Sequence, residues 1–333
     1  MGMADTVTKE YIRSNEVFAD AFNYLIYDGE QVVKPALLQE LDTTEIAIPF
    51  ALGENENQTE DVVQKYRDVL KSAVIMQDSR ASYILLGVEN QTEIHYAMPV
   101  RNIIYDALQY GKQVSEVAKR HKSKGDRKGH NKGEYLSGFY KEDRIRPVIT
   151  LVVHFGADEW DGPLSLYEMM DLEDKKLLEF VQDYRIFLID PYKLTNEDLE
   201  KFSSSLGDVL GYIKYSKDKK ALSKFLNDNQ VMIMDNDAAR VIRDVTNTPI
   251  YVPEGKGEID MCKAVRDMID ESKQEGIAAG KAEGRAEGMA AGELNKAKKM
   301  ALKMYQKGDS IEEIAEMAEF SVDQVKEWIN SAV

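Results

Sequence analysis

Asp68 to Met76, DVLKSAVIM, and Ser82 to Val88, SYILLGV, are the stretches on which the fold turns. Both are short apolar runs of strand length, and the turn-like Gln77-Asp78-Ser79-Arg80 between them predicts a β-hairpin. Upstream, Val17, Phe18, Ala21, Phe22, Leu25 and Ile26 recur at helical spacing over Asn15 to Ile26, and Asp28-Gly29 ends the pattern. Downstream, Ile103, Ile104, Ala107, Leu108, Val114 and Val117 predict a second helix over Val100 to His121. Pro147 to Phe155, PVITLVVHF, is β-branched almost throughout, as a strand covered on both faces requires. Helix, hairpin, helix, strand is the order of an α/β domain, here expected over 1–190.

Two helical regions follow. The first, 191–253, is expected to be a helical lobe: Thr195 with Asp198 marks an N-cap, and Leu199 to Leu210 and Ala221 to Leu226 carry apolar stripes. In the second, 254–333, glycine recurs every fourth residue at Gly276, Gly280, Gly284, Gly288 and Gly292. On a helix these stack into a groove that admits a second backbone, so a homo-oligomer through this helix is one expectation and an unpartnered linker helix the other. Ser310 with Glu313, and Ser321 with Gln324, fit capping boxes, which outlines a helix-turn-helix tail. That tail is acidic after Ser310, with Lys326 as its lone cation, so DNA reading is not expected of it.

The chain of 333 residues exceeds the ~100 to 200 of one ordinary domain. Its 43 Lys and Arg against 59 Asp and Glu give a net charge of −16, which repels phosphate and anionic lipid unless a local basic patch intervenes. No apolar run approaches the ~20 residues of a membrane span, and the polar start MGMADTVTKEYIRSNE lacks the pattern of a signal peptide. The expectation is a soluble cytoplasmic protein with no membrane partner. A single cysteine, Cys262, excludes an internal disulfide and a multi-cysteine zinc site.

Neither GxSxG, HExxH nor CxxC occurs, and GDRKGHNKG lacks the Lys-Ser/Thr of a P-loop. The four histidines show no metal-ligand spacing, and His154, inside a very apolar strand, reads as a hydrogen-bonded core residue. What remains is acidic. Glu89 and Gln91, at i and i+2 on a strand, share one face ~7 Å apart, and Asp68 can join them across the hairpin. Two carboxylates at strand ends can hold Mg²⁺, which takes few protein oxygens and keeps its waters; two charged strand ends with no ligand satisfy the same spacing.

Taken together, FADAFN (Phe18 to Asn23), YRDVLK (Tyr66 to Lys71), GVENQT (Gly87 to Thr92), MPVRNIIYDALQY (Met98 to Tyr110) and RPVITLVVHFG (Arg146 to Gly156) resemble the PD-(D/E)XK nuclease family of transposase-like, recombination-promoting nucleases. The glycine-every-four segment and KGDSIEEIAEMAEFS are similar to that family's C-terminus. The resemblance covers nearly the whole chain, most tightly 15–160. It implies a restriction-endonuclease-like mixed sheet flanked by helices, and a metal-dependent DNA endonuclease of low sequence specificity using Mg²⁺, with Mn²⁺ as substitute. Asp68 and Glu89 are implied as the metal-binding acids and Gln91 as the residue that orients water, where the wider superfamily has lysine. An amide can orient water but brings no positive charge to the phosphate. Asp20 is implied as an accessory acid. Arg101 and Tyr105, four apart and so on one helix face, are implied to reach the scissile phosphate.

Lys119, Arg120, Lys122, Lys124, Arg127, Lys128 and Lys132, interleaved with glycines, read as a flexible basic loop able to lie along duplex DNA. The rival reading is a catalytically decayed nuclease fold that binds DNA or assembles without cutting; an RNA-directed nuclease is the third.

Overall fold

The computed structural model describes residues 2–42, 44–47, 63–66, 68–77, 80–124, 131–171 and 175–331. It opens with two helices, α1 (Met3–Arg13) and α2 (Asn15–Tyr27), and a short strand, β1 (Gln39–Glu40). A small antiparallel ribbon, β2 (Thr44–Ala47) with β3 (Val63–Tyr66), precedes the hairpin of β4 (Val69–Gln77) and β5 (Arg80–Gln91). Next come α3 (Met98–Lys124), α4 (Lys132–Ser137), β6 (Val148–His154) and β7 (Phe187–Ile189). The helical part holds α5 (Asn196–Leu199), α6 (Leu206–Tyr215), α7 (Lys219–Asn229) and α8 (Asn236–Thr246), with β8 (Ile233–Asp235) pairing antiparallel to β9 (Glu258–Asp260). The chain ends in α9 (Met261–Lys307), α10 (Ile311–Ala318) and α11 (Val322–Asn330).

The central sheet runs β1-β4-β5-β6-β7, antiparallel up to β5 and parallel from β5 to β7, so the fold is mixed α/β with helices flanking the sheet, as expected. The hairpin register runs from Val69 opposite Val88 to Gln77 opposite Arg80. β6 is buried nearly throughout, which its β-branched run requires.

Strand alternation sorts the two faces of the sheet. Leu70, Leu85 and Val148 pack together with Leu41 and with Tyr110 of α3. On the opposite face the ammonium of Lys71, only 1% exposed, donates to the Arg13 carbonyl and to Asn15 Oδ1, both at 2.5 Å. The helices α1 and α2 therefore cover one face and α3 the other. At the end of α2, Asp28 and Gly29 turn the chain with φ of 52° and 93°. A side chain on Gly29 would strike the Lys201 carbonyl at 2.8 Å.

Thr195 is the expected N-cap of α5, and Asp198 completes it as a capping box. The helix expected over Leu199 to Leu210 is corrected: α5 stops at Leu199 and α6 starts at Leu206. Ser203 and Ser204 lie between them, and serine hydroxyls compete with helical backbone bonding. The compact units are 1–264 and 265–333. In the second, Ala301, Ile314, Ala315, Val325, Trp328 and Ile329 form a small core, and both predicted capping boxes are present. The five repeat glycines lie on the exposed part of α9, and beyond the neighbouring backbone of the helix itself a Cβ at any of them would meet no atom within 4 Å.

Candidate active site

Asp68 stands one residue before β4, and Glu89 lies near the end of the neighbouring β5. Extending the hairpin register by one step sets the two acids opposite one another. Asp68 Oδ2 accepts the main-chain N–H of Asn90 at 2.9 Å, which ties the first acid to the residue after the second. Glu89 is 0% exposed and Asp68 8%.

Among the described residues, a cation stands against each acid. Arg101 Nη2 lies 2.9 Å from Glu89 Oε2, and Lys9 Nζ lies 2.9 Å from Asp68 Oδ1. Arg101 also donates through Nε to the Tyr105 hydroxyl at 3.2 Å. The two residues therefore share one face of α3, as their spacing requires. Burial works against the Arg101 charge, but Glu89, Tyr105 and Asp68 outweigh it and hold its pKa above the ordinary arginine value. Burial, with Glu89 adding to it, raises the Tyr105 phenol above its ordinary value, so it stays neutral and serves as a hydrogen-bonding group.

Gln91 follows on the same strand, and its Nε2 donates to the Asn90 carbonyl at 3.0 Å. Asp20 is placed differently from its expected role as accessory acid. Its carboxylate accepts the Ser203 and Ser204 main-chain N–H groups at 2.8 to 3.0 Å and both serine hydroxyls at 3.0 and 2.6 Å. An acid whose two oxygens are taken up this way fixes the turn that leads into α6.

Among the described residues, no group of three or more His, Cys, Asp or Glu comes together as a metal cage. A pair of carboxylates suits Mg²⁺, which is held through one or two carboxylates and retains water. The donor set therefore fits a hard dication, and Asp68 and Glu89 are the residues that would hold it.

The expected basic loop is corrected in its first half. Lys119, Arg120, Lys122 and Lys124 are exposed residues on the last turns of α3, because no proline or paired glycine interrupts the helical pattern before Lys124. Lys132 is exposed at the start of α4, whose Asn131 cap forms a capping box with Glu134. Arg127 and Lys128 lie outside the described residues. Two further cations of this surface that the sequence pattern does not reveal are Arg144 and Arg146. With Lys112 and Arg120 they line a cleft of about 540 Å³, against Asp42 and Glu116. Leu70 and Leu85 form part of its floor, so the cleft opens on the α3 face of the sheet. The turn carrying the two arginines is anchored by Asp143, which accepts from His121 Nε2 at 2.8 Å and from the Tyr140 N–H at 2.7 Å.

A protein-family model described as "Putative transposase, YhgA-like" matches residues 51–238 of this chain. Neither the curated proteins nor the solved structures give a match.

Proposed function

The chain belongs to the YhgA-like transposase family, which lies within the PD-(D/E)XK nuclease-like transposase group, and from that premise we propose that it is a metal-dependent DNA endonuclease. The observation that carries the reading is the meeting of Asp68 and Glu89 at neighbouring strand ends, with Arg101 and Lys9 against them. Asp68 and Glu89 are the residues that would hold Mg²⁺, or Mn²⁺ in its place, and a dication there would supply Lewis acidity and a more acidic water. Gln91 would orient the attacking water through its amide. Arg101, steadied by Glu89 and Tyr105, offers its fork of N–H donors to the phosphate.

Lys112 and Arg120 extend the positive surface along α3, with Arg144 and Arg146 beside it. From Arg101 to Arg120 a helix advances roughly 28 Å at 1.5 Å per residue, about eight phosphates of one DNA strand at 3.4 Å each. That length suits a duplex gripped by its backbone, with little sequence preference. Lys119, Lys122, Lys124 and Lys132 lengthen this surface, and Arg127 and Lys128 belong to the same basic stretch of sequence. Self-association through the Gly276 to Gly292 face of α9 and a cytoplasmic location complete the proposal. Among the described residues, no helix is long and apolar enough to cross a membrane.

One observation favours the decayed-nuclease reading: both acids are already met by cations, and Gln91 turns its amide to its own strand. Incubation of the protein with end-labelled duplex DNA and RNA of one sequence, with and without Mg²⁺, separates the readings. Cleavage of DNA only with the metal supports the endonuclease. DNA retention without cleavage supports the decayed form, and cleavage of RNA alone moves the substrate class.

A further inference from the structure

Phosphodiester hydrolysis gathers negative charge on the phosphate, and a neutral Gln91 brings no cation to meet it. Its Nε2 is moreover turned to the Asn90 carbonyl at 3.0 Å. The buried Lys71 is held elsewhere, donating to Arg13 and Asn15 on the far face of the sheet, with its ammonium 4.8 Å from the centre of the Phe18 ring. Among the described residues, Lys9 is the lysine that reaches the acids: its Nζ lies 2.9 Å from Asp68 Oδ1, and its side chain keeps 23% of its surface exposed.

The placement of Lys9 is built, not incidental. Asn90, the residue between Glu89 and Gln91, donates through Nδ2 to Thr8 Oγ1 at 2.6 Å, and both side chains are buried. Thr8 Oγ1 donates in turn to the Ala4 carbonyl at 2.8 Å, and Tyr11 and Ile12 bury the same face of α1. The middle residue of the Glu-Asn-Gln motif thus grips the residue next to Lys9. The helix α1 also lies outside residues 51–238, the part that matches the family.

We propose that Lys9 is a second catalytic cation of this site, beside Arg101: paired with Asp68 in this structure, it would turn its ammonium to the scissile phosphate once a metal ion takes that carboxylate. This rests on the endonuclease reading. In the step it serves, a water oxygen bonds to phosphorus and the bond from phosphorus to one ester oxygen breaks, its electron pair leaving with that oxygen. One water proton ends on the leaving oxygen and the other passes to solvent. Lys9 transfers no proton; it offsets the charge on the non-bridging oxygens.

The test uses the full chain as parent, Lys9→Met, Lys9→Arg, and Lys9→Met combined with Gln91→Lys. Two readouts are taken: the Mg²⁺ concentration that raises the melting temperature without DNA, and the rate of supercoiled plasmid nicking. Because Lys9 and the metal contend for Asp68, Lys9→Met is expected to respond to at least about threefold less Mg²⁺ by linkage. It is expected to nick at least ~10²-fold more slowly, with Lys9→Arg retaining part of the rate and the double variant recovering at least about tenfold by restoring an ammonium. If the parent nicks and Lys9→Met nicks equally well, the inference fails and the endonuclease reading stands. A slow Lys9→Met that needs more Mg²⁺ than the parent and is not rescued by Gln91→Lys makes Lys9 a structural residue and also overturns the inference. A parent that does not nick with Mg²⁺ or Mn²⁺ overturns the endonuclease reading itself, and the inference with it.

Discussion

The main-chain N–H of Asn90 donates to Asp68 Oδ2 at 2.9 Å, so the first acid is locked to the peptide that follows the second. This bond separates structural from chemical effects at Asp68. Asp68→Asn keeps an acceptor oxygen and is expected to melt near the parent while losing cleavage by at least ~10²-fold. Asp68→Ala leaves a buried donor without its partner and is expected to cost a further ~1 to 3 kcal/mol. Thermal melts beside plasmid assays read both; equal melting of the two variants would remove the bond from the account.

Arg101 faces a fully buried Glu89, and removing one partner of such a pair takes away charge that offsets the other. Arg101→Ala is expected to destabilise the fold by about 3 to 5 kcal/mol. Added Mg²⁺ should return part of that stability by neutralising Glu89, measurable as a larger metal-dependent rise in melting temperature than the parent shows.

The cleft lined by Lys112, Arg120, Arg144 and Arg146 is expected to carry more DNA affinity than Lys119, Lys122 and Lys124 at the end of α3. Replacing the four cleft cations by glutamine should weaken duplex binding and flatten its dependence on salt, by roughly 0.9 in the log–log slope for each phosphate that is no longer neutralised. Fluorescence anisotropy across a salt series measures this. A slope that changes only with the three lysines would move the DNA to the helix end.

Burial works to raise the Asp143 pKa, but the Tyr140 N–H and His121 prevail and hold it below the usual carboxylate range. A carboxyl lowered in the folded state contributes stability above its unfolded pKa, near 4, and loses it as pH falls through the folded value. Between pH 6 and pH 3 the parent is therefore expected to lose melting temperature more steeply than Asp143→Asn. Parallel curves would show that this carboxylate does not govern acid stability.

The hairpin of the central sheet was legible because Asp68 to Met76 and Ser82 to Val88 are apolar runs of strand length on either side of a turn, and the two pair antiparallel. That Glu89 and Gln91 share a strand face, and Arg101 and Tyr105 a helix face, was legible for the same reason, since strand and helix spacing fix faces; their roles came from the family resemblance. The helix α1 was not. Its buried face is Thr8, Tyr11 and Ile12, a stripe at i, i+3 and i+4 with a polar first member, and hydrophobic periodicity passes over it. Lys9 is hidden with it. The bonds of Asp20 to Ser203 and Ser204 were not legible, because those partners lie 183 and 184 residues away in sequence, beyond any local pattern. The basic segment resembles a loop because of the glycines after Lys124, although the spacing before it is helical, and Arg144 and Arg146 join the cleft only through tertiary folding.

Conversion of supercoiled plasmid to open circles by the parent and by Glu89→Gln, each with Mg²⁺ and with chelator, tests the account most directly. It predicts Mg²⁺-dependent nicking by the parent and at least ~10²-fold less by Glu89→Gln, whose uncharged amide cannot hold the dication. Equal nicking by the two proteins, or nicking that survives the chelator, would contradict it.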